Sequence, residues 1–140
     1  MKKEPIGKLL SYLHRNNQKT LIKELVPYGI GGGGQHSFLK LILSEPGITQ
    51  DQLTVRLKFD KATTARSVKQ LEDSGYIERQ VDPLDRRSHL LFPTGKAKDF
   101  EPVLERILEN NNRRLARHLT DAEEDQLIGL LQKMIGDDKL

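Results

Sequence analysis

The side chains of this sequence that are suited to chemistry fall into two polar clusters. Lys61, Thr63, Thr64, Arg66, Ser67 and Lys69 crowd one short stretch, and Asp85, Arg86 and Arg87 close a second that begins at Asp82-Pro83-Leu84. Arginine forks onto guanine, threonine bonds several bases or touches a thymine methyl, and both reach phosphate oxygens. Covalent chemistry has far fewer candidates. There is no cysteine, so thiolate nucleophiles, thiolate metal ligands, disulfides and reactive-thiol redox sensing are all excluded. His14, His36, His89 and His118 are scattered, with no His-x-x-x-His pair. A zinc site would need the fold to bring His36 and His118 together, and no metal or other cofactor is expected. No Ser-His-Asp arrangement is present, and Glu123-Glu124-Asp125 reads as the first turn of a helix, where the dipole favours acids. An enzyme is not expected.

Gly29-Ile30-Gly31-Gly32-Gly33-Gly34 matches G-x-G-x-x-G letter by letter. A dinucleotide loop, however, follows a strand and opens the helix of a βαβ unit. This run follows a helical pattern, and it reads as a flexible connector.

With 140 residues the chain fits a single domain with a real core. Its net charge is only +3, so the placement of charge matters more than its sum. Asp60, Glu72, Asp73, Glu78 and Asp82 offset several of the basic residues. Affinity for an anionic partner therefore rests on a few placed contacts. No apolar run approaches the roughly 18 to 20 residues of a membrane span. The start, Met1-Lys2-Lys3-Glu4-Pro5, carries no signal-peptide core, and a cytoplasmic protein is expected.

Helices must position these clusters. Ile6, Leu9, Leu10, Leu13, Leu21, Ile22 and Leu25 recur at helical spacing between Pro5 and the stop Pro27-Tyr28-Gly29. Phe38, Leu39, Leu41, Ile42 and Leu43 predict a second helix, ended by Glu45-Pro46-Gly47. Thr49-Gln50-Asp51-Gln52 has the form of a capping box and opens a short helix with Leu53 and Leu57 inward. Asp60 caps the next, with Ala62, Ala65, Val68 and Leu71 inward and Lys61, Thr63, Thr64, Arg66, Ser67 and Lys69 outward. Two short helices joined by a tight turn have the spacing of a helix-turn-helix. Tyr76–Val81 and Ser88–Phe92 then read as strands around a polar turn, Asp82–Arg87, which together make a wing. From Thr94, which reads as an N-cap, helical period returns at Phe100, Val103, Leu104, Ile107, Leu108 and Leu115. Thr120-Asp121-Ala122-Glu123 is a second capping box, opening a last helix with Leu127, Leu130, Leu131, Met134 and Ile135 inward.

From about residue 6 to 136 the sequence resembles the MarR family. The likeness is carried by Gly47-Ile48-Thr49-Gln50-Asp51-Gln52-Leu53, by Asp60–Arg66 running on to Leu71–Ile77, and by Asp82-Pro83-Leu84-Asp85-Arg86-Arg87. The Asp-x-Arg pair, Asp85 and Arg87, is its most specific part. It departs from the family pattern after the wing, where Pro93-Thr94-Gly95 and Ala97 replace the usual Leu-Thr and glycine. The resemblance implies that the arginine at the wing enters the minor groove while the aspartate two residues earlier fixes the loop. It further implies a ligand cleft between the winged domain and the dimer helices, lined by Tyr12, His14 and Arg15.

The expected fold is mainly α (α+β), a single domain over 1–140. A winged helix-turn-helix spans 36–93, with the helix-turn-helix at 49–74 and the wing at 76–92, flanked by dimerisation helices at 5–27 and 94–137. The DNA-contacting set is Gln50, Lys61, Thr63, Thr64, Arg66, Ser67, Lys69, Asp85, Arg86 and Arg87. The expected function is a homodimeric repressor that binds an inverted-repeat operator in double-stranded DNA and responds to a small aromatic or anionic ligand. Two alternatives stay open: an activator without small-molecule input, and a winged-helix module for protein interaction.

Overall fold

The computed structural model describes residues 3–136. The outermost residues of the 1–140 domain and the last residue of the 94–137 segment lie outside them. The chain runs α1 (Ile6–Leu25), a 3-10 turn (Val26–Tyr28), α2 (Gln35–Ser44), β1 (Ile48–Thr49), α3 (Gln50–Leu57) and α4 (Lys61–Asp73). It continues through β2 (Ile77–Asp82), β3 (Asp85–Pro93), α5 (Gly95–Leu115) and α6 (Asp121–Ile135). The architecture is mainly helical with one small antiparallel sheet, ordered β1-β3-β2.

Local chemistry sets the helix starts. Thr49 and Gln52 form a reciprocal capping box at α3, with N···O distances of 3.1 and 2.9 Å. Thr120 and Glu123 do the same at α6. The Asp60 carboxylate accepts the Thr63 N–H at 2.6 Å, and Thr94 Oγ1 accepts that of Ala97 at 3.3 Å. Each such cap is worth about 1 kcal/mol. Between α3 and α4, Lys58 takes a left-handed conformation (φ 57°), which makes the turn tight.

The core lies where α2, α3, α4, β3 and α5 meet. Phe38, Leu39, Ile42, Leu53, Val68, Leu71 and Leu91 are fully buried there, each contributing about 1.5–3 kcal/mol of hydrophobic stabilisation. The glycine run is part of this packing. Gly34 caps α2 with φ 79°, where a Cβ would come within 2.8 Å of the Phe59 ring, which itself packs at a tilt on Phe38 with centroids 4.9 Å apart. Gly31 N–H donates to Gln35 Oε1, and the buried Gln35 amide donates in turn to Gln70. The segment expected to be a flexible connector is a packed turn.

Four further expectations are corrected. In α4 the buried residues are Thr64, Ser67, Val68 and Leu71, while Ala62 and Ala65 are not part of the core: Ala62 is exposed and so is Ala65. The strand β1 has no counterpart in the sequence-based expectation; it pairs Ile48 with Leu91 and Thr49 with Leu90. The wing's turn is only Pro83-Leu84, because β3 already starts at Asp85. Finally, the apolar stripe of α6 does not face inward within the chain: Leu127, Leu130, Met134 and Ile135 are 42–59% exposed. The same holds for Ile6, Leu9, Leu10 and Leu13 in α1, at 41–59%.

Candidate nucleic-acid interface

Helix α4 presents one exposed face, formed by Lys61, Ala62, Ala65, Arg66 and Lys69. Val68 and Leu71 fix the opposite face against the core, and the residues one turn before them are Thr64 and Ser67. Thr64 is admitted to the core because its hydroxyl donates to the Asp60 carbonyl at 3.0 Å, leaving no unpaired polar atom. Thr64 and Ser67, expected to point outward, are therefore turned away from any ligand approaching this helix. Thr63 is half-buried, and its hydroxyl accepts from Arg66 Nη2 at 3.2 Å. Lys69 pairs with Asp73 at 3.0 Å. The Asp60 carboxyl is held below the usual carboxylate range, first by the Thr63 N–H and further by Arg66's charge.

The wing lies beside it. Register pairs Val81 with His89 and Asp82 with Asp85, so Arg86, Arg87 and Ser88 have no partners on β2 and form a bulge. Bulges of this kind re-aim side chains. Asp85 Oδ1 accepts the Arg87 N–H at 3.0 Å, the loop-fixing contact that the Asp-x-Arg pair implies. Asp82 makes a matching contact with the Leu84 N–H at 2.9 Å. Both arginines of the bulge are exposed, as is Leu84 at the tip.

Gln50 sits at the start of α3, between helix and wing. Its side-chain oxygen accepts from Arg79 Nη1 at 3.4 Å, while Arg79 Nε bonds Glu72 of α4 at 3.2 Å. Arg79 on β2 thus ties α3, α4 and the wing together. Sequence reasoning missed it, since one half-buried arginine in an alternating strand carries no local signal.

Tyr12, His14 and Arg15 are not gathered into a cleft. All three are exposed, and Arg15 donates to Ser11 of its own helix, at 2.5 Å. Buried and half-buried residues of α1 begin at Asn17, beyond these three. The cavity between α1 and α5, about 310 Å³, is lined by Asn16, Asn17, Thr20, Asn111, Arg114, Leu115 and Arg117. His36 is half-buried, and its pKa is lowered by desolvation and by Lys40. Among the described residues no group of three or more His, Asp or Glu is placed to hold a metal ion. Nor, among them, is any helix long and apolar enough to cross a membrane.

Known proteins share this arrangement. A MarR family model matches residues 28–88. A MarR transcriptional regulator from Methanosarcina mazei is 41% identical, with 95% of each chain covered and a TM-score of 0.87. A MarR-family regulator from Listeria monocytogenes, solved in complex with a 26mer DNA, is 29% identical over 97% of this chain and 92% of its own, with a TM-score of 0.87. The HTH-type transcriptional regulator YybA of Bacillus subtilis is 34% identical over 72% of this chain and 67% of its own length.

Proposed function

The chain belongs to the MarR family of transcriptional regulators, and from that premise we propose that it binds an inverted-repeat operator as a homodimer, in the cytoplasm, through α4 and the wing. The observation that carries this reading is the single surface formed by the outward face of α4, with Arg66 at its centre, and the bulged wing with Arg87. The major groove admits a helix and displays distinguishable base edges. Arg66 suits guanine there, and the exposed methyls of Ala62 and Ala65 suit thymine methyls. Arg87, on a loop set by Asp85, suits the enhanced negative potential of a narrow minor groove. Lys61, Lys69 and Arg86 supply backbone contacts. The relative solved in complex with a 26mer DNA supports DNA as the partner.

Dimerisation follows from the exposed apolar faces of α1 and α6. Large apolar side chains on both helices are left 41–59% exposed, and burying the exposed half of each contributes about 1 kcal/mol. A two-fold dimer with one α4 per subunit fits half-sites about 10 base pairs apart, or a multiple of that. The chain's role is that of a repressor released by a small aromatic or anionic ligand. Support for the ligand is the cavity between α1 and α5, where Arg117 stands beside Arg114, itself paired with Glu24 at 3.6 Å.

Selection of bound duplexes from a random DNA pool, with light scattering of the free protein, tests the reading. An inverted repeat and twice the 16.0 kDa chain mass are expected. Selected sequences without a dyad, or a monomer at micromolar concentration, would count against it. Titrating the selected complex with aromatic acids tests the ligand, which loses its support if DNA affinity and thermal stability both stay constant.

A further inference from the structure

A cavity of about 220 Å³ lies between the start of α3 and the bulge of β3, lined by Gln50, Asp51, Arg79, Arg87, Ser88 and His89. We infer that it seats one backbone phosphate of the bound duplex, and that Arg79 is the residue that turns Gln50 toward it. This rests on the assignment of α4 to the major groove and the wing to the adjacent minor groove. Those two elements then straddle one DNA strand, and the phosphates of that strand cross the gap between them. The cavity lies between α3 and the wing and is tied to α4 by the bond from Arg79 to Glu72.

Its chemistry has the polarity that a phosphate needs. Arginine only donates, so the bond from Arg79 Nη1 must end on Gln50's oxygen. With its acceptor engaged, the amide has its NH₂ group left to offer to an incoming oxygen. Ser88 and His89 add side chains able to donate from the wing side. Arg79 is held in turn by Glu72 on α4, with side-chain exposures of 25% and 32%. The seat therefore keeps its place relative to the recognition helix. Its net charge is small, because Glu72 pairs with Arg79 and Asp51 lines the cavity along with Arg87. Recognition by neutral donors is the consequence, and it has a signature: losing one weakens binding without changing the number of counterions released.

The test uses the full-length protein and a duplex it has selected from a random pool. Gln50→Ala should weaken binding by roughly tenfold. The loss should be equal on selected and scrambled duplex, with the salt slope unchanged. Methylphosphonates placed one at a time along the duplex neutralise single phosphates. One position in each half-site should weaken the wild-type protein and leave Gln50→Ala no weaker than before. Arg79→Met should lose sensitivity at that same position, and Arg79→Lys, which still donates, should regain part of it. If Arg79→Met melts below assay temperature, Gln50→Ala decides alone, since it removes only a half-buried side chain. Wild-type affinity in Gln50→Ala, or additivity with every methylphosphonate, overturns the phosphate seat while the DNA assignment stands. Wild-type protein that binds no duplex in a salt-dependent way overturns the DNA assignment itself.

Discussion

The Asp85 carboxylate helps to shape the bulge that carries Arg87, and two substitutions of it separate its two roles. Asp85 Oδ1 accepts the Arg87 N–H at 3.0 Å in an exposed loop. Such a bond is worth about 1 kcal/mol net. Without it the bulge samples other shapes, and affinity falls by the fraction of wings that remain competent. The carboxylate also repels the phosphates. At roughly 8 Å and in bulk-water dielectric that repulsion is about 0.5 kcal/mol, and salt reduces it further. Asp85→Ala loses the bond and the repulsion together, so each wing weakens by about 0.5 kcal/mol, and the two wings of a dimer by about 1 kcal/mol, or roughly fivefold. Asp85→Asn keeps the oxygen and removes only the charge, so the dimer should bind roughly fivefold tighter. The predicted gap between the variants is about 2 kcal/mol, close to thirtyfold. Fluorescence anisotropy titration of a labelled operator at fixed salt measures it. Equal affinities for the two variants would refute the claim that Asp85 acts through its acceptor.

Gly34→Ala should destabilise the fold by about 2–5 kcal/mol, from left-handed backbone strain and from a Cβ placed 2.8 Å from the Phe59 ring. Gly33→Ala, also at positive φ but with open space around it, should cost only about 1–2 kcal/mol, and equal denaturation midpoints for the two variants would contradict the Phe59 contact. His36 in the folded chain has a pKa below the ordinary histidine value of 6.5. Below about pH 6.5 the unfolded chain therefore takes up this proton first, and stability falls as pH drops until the folded form titrates too. Thermal melts between about pH 7.5 and 5 should show a decline that is shallower in His36→Gln; parallel curves would rule His36 out as its source. The cap of Asp60 and the Glu45–Arg56 pair hold their carboxyls below the ordinary range, so their contribution is lost only in more acid solution, outside that window.

The helices and their caps are legible in the sequence because capping boxes and the three-four apolar spacing are local signals. The rotation of α4 is not, for a definable reason. Ala62, Ala65, Val68 and Leu71 are spaced by threes, and at about 100° per residue Ala62 falls roughly half a turn from Leu71. Hydrophobicity favours the alanines, yet packing favours Thr64 and Ser67, whose positions share the face of Val68 and Leu71. A threonine that bonds its own backbone is nearly apolar to its surroundings, and composition cannot show that. The short strand β1 is invisible locally because its two residues pair with Leu90 and Leu91, far along the chain. Arg79 escapes for the same reason, since Gln50 and Glu72 are brought to it only by the fold. The apolar stripes of α1 and α6 are plain as patterns. Their inward side is absent from the single chain, and this is the physical argument for a second copy.

The division of labour between α4 and the wing is tested most directly by the affinities of Arg66→Ala and Arg87→Ala for selected and scrambled duplexes across a salt series. Arg66 lies on the exposed face of α4, so Arg66→Ala should lose about 1–3 kcal/mol on the selected site and relax base preference at one position per half-site. Arg87 lies in the bulge, so Arg87→Ala should weaken both duplexes more evenly and flatten the salt slope by roughly one for each phosphate the side chain no longer neutralises. Both variants folded, dimeric and binding with wild-type affinity and salt dependence would contradict the assignment of this surface to DNA.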